Sequence, residues 1–184
     1  MTIWVTSDLH FGHKKIMKFC SVSRSRFKDD VEVMNNTMRR EWNELISPTD
    51  TVYVLGDVAF MSGSEAGRMV NSLNGIKILI EGNHDRKNLL DATFRNSFAE
   101  IYKYLNITYE GTRVVMFHYP ILEWDQMHRG AVHLYGHVHG KVSGLEKFRA
   151  RDVSMDATGA IAVRMEDIVK DALRGEIRTH HPNL

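Results

Sequence analysis

A chain of 184 residues, 43% apolar and 26% charged, fits one α/β domain spanning 1–184 with a substantial core. A formal net charge of +1 argues against a broadly basic nucleic-acid surface and against an acidic tail. No apolar run approaches the roughly 20 residues needed to cross a bilayer, no leader pattern opens the chain, and a lone Cys20 rules out an intrachain disulfide, so a soluble cytoplasmic setting without a membrane partner is expected.

Ile3-Trp4-Val5 is a β-branched and aromatic run that predicts a buried first strand. Lys14 to Cys20 predicts a short helix, and Ser21 to Lys28 an exposed loop on which Arg24, Arg26 and Lys28 form a small solvated basic cluster. Cys20 itself reads as a small buried apolar side chain. Asp29 or Asp30 caps a helix running to about Ile46, with Val31, Met34, Met38, Trp42 and Leu45 as one apolar stripe. Ser47-Pro48 ends it, because a residue before proline avoids the helical region.

Val52 to Leu55 predicts the next strand, and Ser62 or Ser64 caps a helix that turns Ala66, Met69, Val70 and Leu73 inward before Gly75. Ile76 to Ile80 completes a β-α-β-α-β order with crossovers long enough for parallel pairing. A helix is expected from about Asn88 to Phe98. Ile101 to Tyr109 and Arg113 to Phe117 then flank Glu110-Gly111-Thr112 as a hairpin. Val132 to Tyr135 is a further strand, in which His133 packs on the opposite face from Val132 and Leu134. The last helix covers about Met165 to Leu173. His128, His180 and His181 carry no usable pattern.

Five of the apolar runs end in a polar signature: Asp8-Leu9-His10, Gly56-Asp57, Gly82-Asn83-His84-Asp85, His118, and Gly136-His137-Val138-His139. Each is weak alone. An aspartate after a strand is commonly a cap, and a single histidine is commonly a hydrogen-bonded core residue. In an extended strand end, however, Asp8 and His10 share one face, and so do His137 and His139. Carboxylates and imidazoles converging at strand ends repel or stay poorly solvated unless a cation sits among them. Ten histidines in the chain fit that need. Asp8, His10, Asp57, Asn83, His118, His137 and His139 are therefore the candidate metal ligands.

The ordered set resembles the calcineurin-like metallophosphoesterase superfamily, whose blocks Asp–x–His, Gly–Asp, Gly–Asn–His–Asp/Glu, a lone His and Gly–His–x–His occur here from residue 8 to residue 139. Asp8-Leu9-His10-Phe11-Gly12-His13, Arg26-Phe27-Lys28, Trp42-Asn43 and His118-Tyr119-Pro120 resemble its small bacterial and phage branch. The resemblance implies a four-layer β-sandwich of mixed sheets flanked by helices. It implies one metal on Asp8, His10 and His139, another on Asn83, His118 and His137, and Asp57 shared by both. Protein-phosphatase relatives continue Gly–Asp into Asp–Arg–Gly, whereas here Asp57 is followed by Val58-Ala59-Phe60-Met61-Ser62-Gly63 with no such arginine, which argues against phosphoprotein substrates.

The resemblance implies that two divalent ions held by these residues would acidify a shared water as the nucleophile toward phosphorus, in line with the leaving oxygen. Manganese is the expected metal, with Fe, Zn, Ni or Co also suited to a mixed N/O set. His84 and Asp57 are the catalytic candidates, His84 because the resemblance leaves it off the metals and free to protonate the leaving group. Asn83, His84, Arg86 and Trp124 are candidate substrate contacts, the last as a pocket ring beside Tyr119 or as a buried lid. Asp85 either orients an imidazole or makes a turn, and Asp156 reads as a turn residue or as a support for a ligand. A small phosphodiester or phosphomonoester, nucleotides included, is the expected substrate. A nuclease or nucleic-acid-end phosphatase is the alternative, with a non-catalytic scaffold behind it. Oligomeric state is not readable.

Overall fold

The computed structural model describes residues 1–141 and 143–179, so His180 and His181 lie outside the described residues. In chain order the strands are β1 (Ile3–Thr6), β2 (Thr51–Val54), β3 (Ile76–Ile80), β4 (Glu100–Tyr102), β5 (Tyr104–Tyr109), β6 (Thr112–Phe117), β7 (Val132–Tyr135), β8 (Ala150–Asp152) and β9 (Val163–Arg164). The helices are α1 (Ile16–Phe19), α2 (Val31–Leu45), α3 (Gly63–Asn71), α4 (Asp85–Asn88), α5 (Ala92–Arg95), α6 (Met155–Thr158) and α7 (Met165–Ala172). One sheet has the order β4-β3-β2-β1-β9 and the other β5-β6-β7-β8.

Both sheets are mixed. β1 to β4 run parallel with β9 antiparallel to β1, and β6-β7-β8 run parallel with β5 antiparallel to β6. Alternation along the strands divides the side chains among three apolar layers. Trp4, Val52, Val54 and Leu79 face the helices, while Val5, Leu55 and Ile80 meet Val114, Met116, Val132 and Leu134 between the sheets. Met165, Val169 and Ala172 of α7 join that central layer. Val115, Tyr135 and Ala150 point the other way, under the 3₁₀ turn Met127–Arg129 and Leu145.

Helix α2 begins where Asp30 accepts the N–H groups of Glu32 and Val33 at 2.8 and 3.2 Å, meeting two donors the helix cannot satisfy itself. Its stripe of Met34, Met38 and Trp42 is buried, and the Trp42 indole N–H donates to Asn74 O at 2.9 Å. Leu45, expected in the stripe, is exposed in the last turn. Ser62 and Glu65 close a capping box at the start of α3.

Three stretches differ from the sequence expectation. The expected strand Ile101–Tyr109 divides at Lys103, β4 pairing with β3 and β5 with β6. Lys103 interrupts the apolar phase of Ile101, Leu105 and Ile107 at the break, but a single lysine there reads equally as a solvated position within one strand. The expected helix from Asn88 to Phe98 is two single turns, because Asp91 accepts the Thr93 N–H at 2.8 Å and caps α5 afresh. The supposedly exposed 21–28 loop buries Arg24 and Phe27 completely. Among the described residues no helix is long and apolar enough to cross a membrane.

Replacing Trp42 by Ala removes a fully buried ring and its hydrogen bond. Urea denaturation is expected to show a loss of about 3–5 kcal/mol.

Candidate metal centre

The carboxyl ends of β1, β2 and β3 deliver Asp8, Asp57 and Asn83, and those of β6 and β7 deliver His118, His137 and His139. Asp8, His10, Asp57, His137 and His139 all have positive φ, between 53° and 71°. Asp8 and His10 do converge, but not by extended alternation, whereas His137 and His139 part into different groups. Left-handed residues at tight corners aim them. Non-glycine residues pay for that conformation, and such strain gathers at functional sites.

The blocks approach so closely that their leading glycines are sterically required. A Cβ on Gly82 would stand 2.4 Å from Asp57 Oδ1, and one on Gly136 would stand 2.3 Å from Asp8 Oδ2. Asp85 ties two blocks together: its Oδ2 accepts the Asp57 and Gly82 N–H groups at 2.8 and 2.9 Å, and its Oδ1 accepts that of Val58 at 2.9 Å. Of the two roles open to Asp85, the turn is the one observed.

Two groups of ligand atoms result. Asp8 Oδ1 lies 3.7 Å from His10 Nε2 and 3.5 Å from His139 Nε2. His118 Nε2 lies 3.0 Å from Asn83 Oδ1 and 3.6 Å from Asp57 Oδ1, and His137 joins Asp57 and His118 in the second group. Asp57 stands between them, its Oδ2 being 3.8 Å from His10 Nε2. Asp8 Oδ1 and His10 Nε2 are two of three buried side-chain polar atoms with no hydrogen-bond partner among the described residues. Buried polar groups are almost always satisfied. Two orphaned lone-pair atoms side by side, within a set of hard and borderline donors, fit a divalent cation.

Two of the histidines, His118 and His139, are held by their outer nitrogens. His118 Nδ1 lies 2.7 Å from Leu55 O, a contact in which it must donate, leaving Nε2 as the lone pair. His139 Nδ1 lies 2.7 Å from Asp156 Oδ2. Asp156 is gripped in turn by Arg24, whose Nε and Nη2 donate to its two oxygens at 2.9 and 2.8 Å, and by Ser23 Oγ at 2.6 Å. Arg24 also donates to Asp8 O and Leu9 O at 2.7 and 3.0 Å. Burial disfavours charge on Asp156, but His139 and the Arg24 guanidinium hold it well below the usual carboxylate range. Burial likewise opposes a charge on His139, yet Asp156 raises it to about 10 in the metal-free chain.

Arg24 and its partnership with Asp156 escaped the sequence reading, since Ser21–Lys28 has the composition of a solvated loop. Cys20, expected to be inert and buried, is half-buried, with its thiol within 4.8 Å of the His139 and Asp156 ligand atoms. Trp124 must be corrected. It is buried, donates through Nε1 to Ala131 O at 2.9 Å and stacks on His133 with centroids 5.4 Å apart, in the outer layer of the second sheet rather than in the ligand pocket. His133 lies on the face opposite Val132 and Leu134, as the alternation predicts, and burial lowers it to about 4. Tyr119 packs against the rings of His118 and His137 at 4.9 and 4.6 Å. His84 is half-exposed, with Nε2 3.9 Å from Asp57 Oδ2, beside a cavity of about 480 Å³ lined by Phe60, Asn83, Arg86 and Lys87.

The sequence profile of the calcineurin-like phosphoesterases matches residues 1–182. The chain belongs to that family. Among curated relatives, this phosphoesterase is 29% identical over 182 residues to an uncharacterized protein of Methanocaldococcus jannaschii, covering 95% of this chain and 93% of that one. It is 26% identical over 194 residues to the Gene 66 protein of Mycobacterium phage L5, covering 89% and 90%. A solved protein of unknown function from Aquifex aeolicus shares the fold with a TM-score of 0.72 at 22% identity, covering 92% of this chain and 98% of that one. The phosphoesterase thus has the mixed two-sheet sandwich of its family, and the family implies divalent metal ions.

Arg24→Met would take the guanidinium from the buried Asp156 carboxylate, leaving it to His139 and Ser23, and would strip Asp8 O and Leu9 O of their donor. Urea denaturation is expected to show a loss of about 3–5 kcal/mol. Burial raises Asp85 to about 6 from its ordinary 3.8. A carboxyl raised by folding adds stability below its unfolded pKa and loses it as pH rises through the folded value. The stability difference between metal-free parent and Asp85→Asn should therefore narrow from about pH 4 to pH 6. A difference that widens over that interval would contradict the assignment.

Proposed function

We propose that this phosphoesterase uses two divalent cations to hydrolyse a small phosphodiester or phosphomonoester, nucleotides included. One observation carries the reading: the Asp57 carboxylate turns Oδ2 toward His10, at 3.8 Å, and Oδ1 toward His118, at 3.6 Å. Asp8, His10 and His139 would hold one cation, Asn83, His118 and His137 the other, with Asp57 common to both. When bound, the pair supplies an acidified water as nucleophile and neutralises the phosphoryl oxygens. Manganese is the favoured metal, with Fe, Zn, Ni or Co compatible with the same donors.

The protein's own groups do the rest. Asp156 and Leu55 O orient two ligand imidazoles through their outer nitrogens. His84 stands half-exposed beside Asp57 and gives its proton to the leaving oxygen. Arg86 and Lys87 place positive charge along the neighbouring cavity, where the leaving group or a second phosphate would sit, although Arg86 is also 3.4 Å from Glu81. Val58-Ala59-Phe60-Met61-Ser62-Gly63 follows Asp57 without the Asp–Arg–Gly of phosphoprotein-directed relatives, which supports a small substrate.

Hydrolysis of bis(p-nitrophenyl) phosphate is expected to depend on added Mn²⁺ and to stop on chelation. His84→Ala should keep its metal yet lose about 10²–10⁴-fold in turnover on an unactivated alkyl diester. It should lose less on p-nitrophenyl esters, whose leaving group needs no proton. Equal turnover on both substrates would remove His84 from the chemistry. Asp57→Ala should lose metal and activity together, and elemental analysis finding two ions in it would contradict the shared carboxylate. Activity on oligonucleotides with a steep salt dependence would instead favour a nuclease.

A further inference from the structure

Among the described residues, the outer nitrogen of His10 meets neither a carbonyl nor a carboxylate but a second ring. Its Nδ1 lies 3.2 Å from Nδ1 of His13. The two rings are brought together locally. His13 N donates to His10 O at 3.0 Å, and the intervening Gly12 has φ +79° with its N–H held by Asn35 Oδ1 at 2.8 Å. The His13 ring lies flat on Phe60, with centroids 3.8 Å apart and planes 11° from parallel. Phe60 is fixed in its turn by a backbone bond from its N–H to Phe11 O at 2.7 Å. A surface histidine serving only as a solvated side chain would not be clamped on two sides.

Two imidazole nitrogens at that distance share one proton. With none between them, two lone pairs face each other; with two, two N–H groups collide. Two arrangements remain. If His13 donates, the His10 proton sits on Nε2 and blocks the atom that faces Asp8 Oδ1 and Asp57 Oδ2. If His13 accepts, His10 carries its proton on Nδ1 and presents the Nε2 lone pair to the pocket, where that atom is orphaned.

We infer that His13 is a positioning residue for the metal centre: as acceptor of the His10 Nδ1 proton, it fixes the tautomer in which His10 can bind a cation. This rests on the reading of His10 as a ligand. His139, His118 and His10 are then held by a carboxylate, a peptide carbonyl and an imidazole respectively. The imidazole is the one partner that can itself turn donor, so the first cation site depends on how the His13 ring is held.

Three variants separate the acceptor from the ring. His13→Phe keeps an aromatic plane for Phe60 and removes the acceptor. His13→Asn offers a carboxamide oxygen close to the Nδ1 position. His13→Ala removes both. Mn²⁺ affinity is read by titration calorimetry on the full chain, with the melting temperature of each metal-free protein recorded alongside. His13→Phe and His13→Ala should bind at one of the two sites about 10–100-fold more weakly, whereas His13→Asn stays within about threefold of the parent. The metal-free melting temperature of His13→Phe should match the parent's. Parent-like affinity in His13→Phe would overturn the inference. Equal weakening in Asn and Phe variants would also overturn it, by showing that the acceptor is not what matters. A parent that binds no Mn²⁺ would instead overturn the metal reading on which the inference stands.

Discussion

Asp8 Oδ1 and His10 Nε2 face each other at 3.7 Å in the interior, with no donor to either among the described residues. Placing lone pairs there costs desolvation that a neutral protein group normally offsets with a hydrogen bond. In the metal-free chain the His139 imidazolium stands 3.5 Å from Asp8 Oδ1, but the Asp57 carboxylate is a further acceptor facing His10, so protein contacts relieve only part of the cost. Divalent cations relieve the rest, and most of the remaining architecture serves to keep those acceptors in place until cations arrive.

That holding is done by the backbone and by a few buried polar clamps. Five ligand residues occupy left-handed corners, and glycines at 82 and 136 let neighbouring corners touch. Asp85 gathers three N–H groups, and Arg24 gathers two carbonyls and a carboxylate. Packing between the sheets supplies the rigid base, since the Leu55, Ile80 and Leu134 side chains lie at the roots of the ligand loops.

Much of this was legible in the sequence because the ligands follow apolar runs, and a strand end places a side chain in a known region of an α/β sheet. The candidate ligands could therefore be picked out while their conformation could not. Nothing in Asp8-Leu9-His10 distinguishes an extended end from two left-handed residues. Arg24 was misread for a different reason: its partner Asp156 is 132 positions away, and local composition carries no trace of so distant a contact. Trp124 was placed near the pocket because it follows His118 closely in the chain. The intervening residues instead carry it to the outer face of the second sheet, where His133 and Ala131 receive it. The division of 101–109 between two sheets is marked in the sequence by Lys103 alone, which interrupts the apolar phase of Ile101, Leu105 and Ile107 and reads equally as a solvated position in one strand.

The two sheets contribute unequal shares of the site, with Asp8, His10, Asp57 and Asn83 on loops from one and His118, His137 and His139 on loops from the other. Each cation would thus act as a rivet across the sandwich, joining layers that are otherwise fastened mainly by side-chain packing. Catalyst and mechanical fastener would then be the same object, and exchanging one metal for another would alter how stiffly the two halves of the molecule are joined as well as how fast it turns over.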